Sequence, residues 1–398
     1  MKVGIYISGL GQTLNNDSVV DYAERIKNEL KFNTNGEEFE LEQQEVSYHK
    51  EKRTTVVSIF QKLDQEKKLV YKLYDFEYHQ MLTDRFNKFS LLKKNFWLLL
   101  LVLQKGPMLF WRIFKRDAFN RPFQTLYIFG IFFLIASSLL LMVPASLSLI
   151  TGIFESPEIS NYFNIADSNS FLSSQSLRRL SEKIIAATGI LLVLVPGANV
   201  LVTSLATEFV CANDYLDHGS QRQLIQGNLE LLVDYITEEQ QDCKIHFHTY
   251  SFGSLLAMDY LFPSTSSVSN NAKEFCEALI TIGTPFEFIN SYYPHFYENR
   301  NLELRNQLQW INVYSKLDAL ASNFRFDHEI GEAEYGMDLQ SKKPENINYE
   351  TASFSQTGIL SFLLLYSIKA HRIYWDQNPE AQSCIGPIYR EMTATGMI

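Results

Sequence analysis

One stretch, residues 243–257, restricts the fold of this chain more than any other. Apolar side chains alternate along 243–249, the pattern breaks sharply at Ser251 and Gly253, and an apolar helix-forming segment begins at once. Alternation with a period of two is typical of a strand. The stretch therefore predicts a strand, a tight turn with an exposed serine, and a helix, which is a building unit of α/β folds.

Length and composition narrow the class of protein. The chain has 398 residues, which is room for two domains or for one large domain with an insertion. Its net charge of -10 argues against nucleic acid as the main partner. The four cysteines are scattered without a C-x-x-C pair, which favours reduced thiols over a disulfide or zinc framework.

Strand and helix patterns alternate on both sides of a long apolar region. Further strands are predicted at 2–8, 39–48, 69–78, 275–282 and 308–314, with helices at 19–30, 221–237, 254–261 and 357–370. Residues 325–350 are polar and predicted to be irregular. We therefore predict an α/β domain with a mostly parallel sheet flanked by helices, built from residues 1–82 and 211–398.

Two long uncharged stretches interrupt that pattern. No charged residue occurs from Pro122 to Phe154 or from Ile184 to Thr207. A helix of about 20 apolar residues is long enough to cross a bilayer. We predict a two-helix transmembrane hairpin at 122–210, with spans at about 125–150 and 184–206, in an integral membrane protein. The basic residues before the first span place the catalytic part in the cytosol.

The segment 83–121 has a different character. Apolar and aromatic side chains recur at helical spacing among lysines, and an apolar run at 96–103 ends at residues 104–107. That run is too short to cross a bilayer. We predict an amphipathic helical segment at the membrane interface, with a buried core helix as the alternative.

The serine at the predicted turn has candidate partners for nucleophilic catalysis. A serine hydroxyl becomes a good nucleophile when a histidine takes its proton and an acid orients that histidine. Asp318 follows the strand 308–314 and His371 follows the helix 357–370, which gives the chain order serine, acid, histidine. The predicted catalytic residues are Ser251, Asp318 and His371; the competing residues are Asp327, His295 and His328.

Two backbone N–H groups are needed to stabilise the oxyanion that such a reaction forms. The residue after the nucleophile, Phe252, supplies one, and Leu10 in the loop after the first strand supplies the other. Gly9, Gly11 and Gly253 support the loop and the turn. The alternative, a dinucleotide-binding loop at 9–11, lacks the third glycine.

His246 and His248 alternate along one predicted strand and could face one way, as metal ligands do. No carboxylate or cysteine cluster accompanies them in sequence. We therefore predict two core histidines, and neither a metal site nor a cofactor.

Several motifs together resemble the α/β-hydrolase-fold serine hydrolases of the lipase and esterase kind. Residues 249–253 match the nucleophile motif G-x-S-x-G except that Thr249 replaces the first glycine. Ser8 stands where the resemblance implies a histidine before Gly9. The other similar segments are Asp214-Tyr215 with 222–225, 282–285, 310–313 with Asp318, and His371 with Tyr374-Trp375.

The resemblance implies a serine hydrolase that cleaves carboxylic esters through an acyl-enzyme on Ser251, and the predicted hairpin would anchor it in a membrane. The hairpin suggests a lipid acyl ester as substrate and the lipid bilayer as partner, with self-association left open. Two alternatives remain. One is a hydrolase fold kept as a receptor or signalling module without turnover, and the other is an acyltransferase that uses the same serine.

Overall fold

The computed structural model describes residues 1–10, 18–34, 36–63, 66–113, 198–264, 266–350, 373–375 and 378–398. These residues divide into two units. The first combines Met1–Met81 with Tyr215–Ile398, and the second is Leu82–Asp214.

One mixed sheet organises the first unit. Within the described residues it has eight strands in the order β2-β3-β4-β1-β5-β6-β7-β8. Neighbours from β4 to β8 pair in parallel, whereas β3 is antiparallel to both β2 and β4. The strands are β1 (Lys2–Ile7), β2 (Phe39–His49), β3 (Lys52–Lys62), β4 (Lys67–Asp75), β5 (Lys244–Tyr250), β6 (Cys276–Ile282), β7 (Gln309–Tyr314) and β8 (Glu345–Asn348).

Helices alternate with these strands, in agreement with the predicted α/β class. Numbered over the described residues, they are α1 (Val19–Asn33), α2 (His79–Asn87), α3 (Leu91–Ile113), α4 (Ala198–His218), α5 (Arg222–Glu239), α6 (Phe252–Leu261), α7 (Asn270–Phe275), α8 (Phe286–Tyr292) and α9 (Ile385–Ala394). The predicted helix at 357–370 lies outside the described residues.

The two faces of the sheet are covered by different helices. On one face α1 and α9 pack on alternate side chains of the strands, among them Tyr6 and Tyr250. On the other face α6 packs against β1, β5 and β6. All ten residues of α6 are buried. β1 and β5 are buried along nearly their whole length, as expected of parallel strands covered on both faces.

Two strands were not expected from the sequence. β3 forms a hairpin with β2 through a turn in which Lys50 has a positive φ of 44°. β8 lies inside the polar stretch 325–350 and pairs in parallel with β7. The prediction of an irregular segment there is wrong at β8. β8 has only four residues and is half-buried, so its pairing with β7, rather than a pattern in its own sequence, makes it a strand.

The second unit contains α3, most of α2 and most of α4. α3 continues through residues 104–107, where the apolar run of the sequence ends, and Pro107 lies inside the helix. Leu98 and Leu101 are buried, whereas Phe96 and Leu103 are exposed. The part of 83–121 that follows Ile113 lies outside the described residues.

The predicted transmembrane hairpin requires a correction. Across the described ranges, no helix is both long enough and apolar enough to cross a bilayer. On this finding the predicted hairpin and the predicted localisation as a two-span integral membrane protein are wrong. The cytosolic placement of the catalytic part depended on the hairpin and is withdrawn with it. The first predicted span lies outside the described residues, and the second overlaps them only at 198–206.

The physical reason is visible where the second span overlaps the structure. Residues 198–206 begin α4, which continues through Glu208, Asp214 and Asp217 to His218. Glu208 is only 5% exposed. An uncharged run can be one end of a longer helix that carries charges at its other end, and sequence hydropathy alone does not separate this case from a span.

A chain of hydrogen bonds crosses the first unit beside β5. Tyr71 Oη lies 2.9 Å from His246 Nδ1 and 2.8 Å from His248 Nε2, and Tyr22 Oη lies 2.9 Å from His248 Nδ1. His246 Nε2 lies 2.9 Å from the Glu277 carboxylate, and this hydrogen bond lowers the pKa of Glu277 to about 2. His246 therefore donates from Nε2, so that Tyr71 donates to His246 and accepts from His248.

His246 and His248 are both neutral core residues of this hydrogen-bond chain. Burial lowers the pKa of His246 and of His248, which keeps the rings neutral. Their ring nitrogens are used in hydrogen bonds within the core. Over the described residues, no group of three or more His, Cys, Asp or Glu side chains is arranged to hold a metal ion.

A buried ion cluster anchors the far end of α6. Asp259 is 2% exposed and lies between the guanidinium groups of Arg222 and Arg300. Arg222 Nε donates to it at 2.7 Å, and Tyr215 Oη donates at 2.6 Å. The cluster joins α4, α5, α6 and the segment after Phe296.

We expect Asp259→Asn to destabilise the protein by about 3–5 kcal/mol, because it leaves two guanidinium groups without their carboxylate. Glu45→Gln is the matched control, since Glu45 pairs with Arg53 at 3.4 Å on the open surface. Such surface pairs contribute about 1 kcal/mol or less. Urea unfolding of both variants measures the difference, and equal free energies of unfolding would contradict a stabilising role for the cluster.

Protonation of the buried histidines should make the protein less stable in acid. Their folded pKa values lie below the unfolded value of about 6.5, so the unfolded state binds more protons below that pH. We expect the free energy of unfolding to fall as pH drops below about 6.5, and to fall less in His248→Gln. His295→Gln is the control. Glu298 raises the pKa of His295, so its removal cannot make the dependence shallower.

Candidate active site

Ser251 lies at a strained turn between β5 and α6. Its backbone has φ 51° and ψ -121°, a conformation that residues with a side chain rarely adopt. The turn is held on both sides, because Ser251 N donates to Ile282 O at 2.9 Å and Ser254 N donates to Ser251 O at 3.0 Å. Such strain costs about 1–3 kcal/mol and is concentrated at functional sites.

Two glycines let the backbone come this close. A Cβ at Gly253 would lie 2.3 Å from Ile7 O and 2.6 Å from Ser8 O, so no larger residue fits without a shift of β1 or α6. A Cβ at Gly9 would lie 2.9 Å from Ser251 Cβ. The loop after β1 is therefore packed directly against the serine.

Thr249, which replaces the first glycine of the motif, is accommodated by hydrogen bonds. Its hydroxyl donates to Ile280 O at 2.9 Å and pairs with Ser254 Oγ at 2.9 Å. The side chain is fully buried. The sequence predicts strain or repacking at Thr249, but the residue with the positive φ is Ser251.

Asp318 lies in the loop that follows β7 and is 4% exposed. Tyr374 Oη donates to its Oδ2 at 2.7 Å, and Leu320 N donates to its Oδ1 at 2.9 Å. β5, β6 and β7 are parallel neighbours, so Ser251 and Asp318 both follow strand ends at one edge of the sheet. This edge is where α/β proteins place binding and catalytic groups.

The competing acid is used elsewhere. Arg325 donates to Asp327 through Nε at 2.8 Å and through Nη2 at 2.6 Å, and this pairing lowers the pKa of Asp327. The Asp327 side chain is 48% exposed. Its position is that of a surface ion pair within its own loop.

The predicted base, His371, lies outside the described residues, as does Gly11. The segment just after His371 is described at Tyr374 and Trp375. Tyr374 is fully buried against Asp318, and the ring of Trp375 lies 4.9 Å from that of Tyr250. Tyr250 immediately precedes the serine, so this segment is held close to both other predicted members of the triad.

The rival histidines lie in other surroundings. The His295 side chain is 87% exposed and pairs with Glu298. His328 has a positive φ of 58°, and its Nδ1 lies 3.8 Å from the Glu287 carboxylate.

The predicted oxyanion donors belong to two segments next to Ser251. Phe252 is the first residue of α6, where backbone N–H groups point out of the helix end. Leu10 follows Gly9, the residue packed against Ser251, and is half-buried. Both segments are thus adjacent to the serine in space.

His79 is a residue that sequence reasoning missed. It is the first residue of α2, and its Nε2 lies 3.5 Å from Ser8 Oγ. Burial lowers the pKa of His79 to about 4, against a hydrogen bond to the backbone of Gly9 that raises it. The only feature of the sequence that points to His79 is its position just after a predicted strand. The sequence does not show that this strand, β4, lies beside β1 and so brings His79 to Ser8.

A separate groove in the first unit carries no comparable chemistry. It has a volume of about 720 Å³ and is lined by Arg222, Asp259, Tyr260 and the serine-rich loop 263–269. Asp259 is committed to the ion cluster, and Ser251 does not line the groove.

Comparisons with protein-family models, with curated proteins and with solved structures found no match to this chain. The resemblance to the α/β-hydrolase fold therefore stays a prediction.

We expect Gly253→Ala to be strongly destabilising, because the added methyl group would overlap the carbonyl oxygens of Ile7 and Ser8. The cost should reach several kcal/mol, as for other overpacked sites. Gly227→Ala is the matched control. Nothing lies within 4 Å of its Cβ position in α5, so it should stabilise by about 0.5–1 kcal/mol. Urea unfolding measures both, and a Gly253→Ala protein as stable as the wild type would show that the close approach is absent.

Proposed function

We propose that the chain is a serine hydrolase that cleaves carboxylic esters through an acyl-enzyme on Ser251. The observation that carries this proposal is the strained Ser251 backbone at the β5–α6 turn, packed against the Gly9 loop. The cost of holding a serine in this conformation is hard to explain for a purely structural residue. The buried Asp318 at the same sheet edge adds an acid in a suitable place.

In the proposed reaction, Ser251 Oγ attacks the ester carbonyl carbon while His371 takes the hydroxyl proton. Asp318 orients His371 and stabilises its charged form. The oxyanion is held by the N–H groups of Phe252 and Leu10. The C–O bond to the alcohol then breaks, and His371 gives its proton to the leaving oxygen. Water, activated by His371, attacks the acyl-enzyme and releases the acid, which restores Ser251.

The proposed substrate class is limited to carboxylic esters. The narrower expectation of a lipid acyl ester at a bilayer was inferred from the transmembrane hairpin, which the structure does not support. Ser251 itself is only 8% exposed.

The test is labelling of the full chain with a fluorophosphonate probe, followed by identification of the labelled residue. We expect labelling of the wild type at Ser251, none in Ser251→Ala, and labelling slowed by at least about 100-fold in His371→Ala and Asp318→Asn. Ser267→Ala, an exposed serine in the loop after α6, is the matched control and should label like the wild type.

The outcomes separate the proposal from its rivals. A folded wild type that is not labelled would contradict it and favour a module without turnover. Labelling that persists in Ser251→Ala would move the nucleophile to another residue. If the unlabelled wild type, given an ester, transferred the acyl group only to an added alcohol or amine, and not to water, the same serine would serve acyl transfer.

A further inference from the structure

The connection between β4 and α2 contacts both segments that flank Ser251. Tyr78 and His79 form this contact, with their rings stacked at a centroid distance of 4.4 Å and an interplanar angle of 23°. Tyr78 is fully buried. Parallel pairing places β4 beside β1, so the residues that follow β4 lie next to the loop that follows β1.

His79 reaches the first of these segments. Its ring hydrogen-bonds to the backbone of Gly9, and its Nε2 lies 3.5 Å from the hydroxyl of Ser8, which is fully buried. Gly9 in turn is packed against Ser251 and precedes Leu10. His79 therefore contacts the loop that carries one of the proposed oxyanion donors, Leu10.

Tyr78 reaches the second segment. Its ring centroid lies 6.0 Å from that of Phe252, the residue that supplies the other proposed donor. The Phe252 ring is also held by Tyr215 at 5.8 Å. The stacked rings of Tyr78 and His79 thus contact Phe252 and the loop that carries Leu10.

We propose that His79, stacked on Tyr78, is a positioning residue that aligns the Leu10 and Phe252 N–H groups on one oxyanion. This inference rests on the proposed function of Ser251. The two donors belong to segments far apart in sequence, so their relative position depends on contacts between those segments. His79 supplies such a contact at Ser8.

The neutral state of His79 suits this role. Burial lowers its pKa to about 4, so the ring is uncharged at neutral pH and acts through hydrogen bonds and packing. An oxyanion site depends on donors that are already in place when the charge develops. A displacement of about 1 Å can cost about 100-fold in rate.

The test compares His79→Ala with His79→Gln, whose side-chain amide can keep a donor toward the loop after β1. With a p-nitrophenyl ester as substrate, we expect kcat to fall about 10- to 100-fold in His79→Ala and KM to stay within about twofold. His79→Gln should recover most of kcat. The affinity for a trifluoromethyl ketone, which forms an oxyanion on Ser251, should fall with kcat in His79→Ala.

Two controls make the result specific. His295→Ala removes an exposed histidine and should change none of these values. If His79→Ala does not fold, His79→Leu fills the ring volume without a hydrogen-bonding group and takes its place. The proposal is overturned if the folded variant keeps the wild-type kcat, or if kcat falls while the affinity for the ketone does not change.

The two proposals fail in different ways. Failure of the proposed function removes fluorophosphonate labelling from the wild type itself. Failure of the His79 proposal leaves labelling of the wild type intact, and the folded variant then keeps either the wild-type kcat or the wild-type affinity for the ketone.

Discussion

The close approach of α6 to β1 is the constraint on which the rest of the candidate site depends. The backbone at Gly253 lies so near Ile7 O and Ser8 O that even a Cβ atom would overlap them. This approach forces the chain to turn sharply after β5, and the positive φ of Ser251 is the consequence. It also brings the loop after β1 against the serine, so that one contact places the predicted nucleophile and both segments of the predicted oxyanion site.

Buried polar groups in the first unit are arranged in connected sets. Asp259 lies between two guanidinium groups, and Asp318 accepts hydrogen bonds from Tyr374 and Leu320. Hydrogen bonds connect Glu277, His246 and Tyr71. The ionised carboxylate of Glu277 can only accept, so the donor and the acceptor of each bond in this series are fixed. Polar groups removed from water are costly unless paired, so these sets restrict the sheet and its helices to one arrangement.

Sequence reasoning succeeded where a local pattern carries the structure. The alternation along 243–249 and the break after it predicted β5, the turn and α6, and these elements are present. It failed where a pattern has two physical meanings. The uncharged run ending near Thr207 is consistent with a span, yet its described part begins α4, which goes on through Glu208. It also failed at β8, whose pairing partner rather than its own residues makes it a strand.

The sequence by itself determined the α/β class, the serine at a strand–helix turn and the order of the candidate acid and histidine, because these follow from local periodicity and chain order. Only the tertiary structure decided that Thr249 is accommodated by Ile280 and Ser254, that Tyr374 holds Asp318, and that His79 reaches the loop at Ser8 and Gly9. These contacts join residues from different strands and loops. Strand order in the sheet sets them, and no local pattern encodes that order.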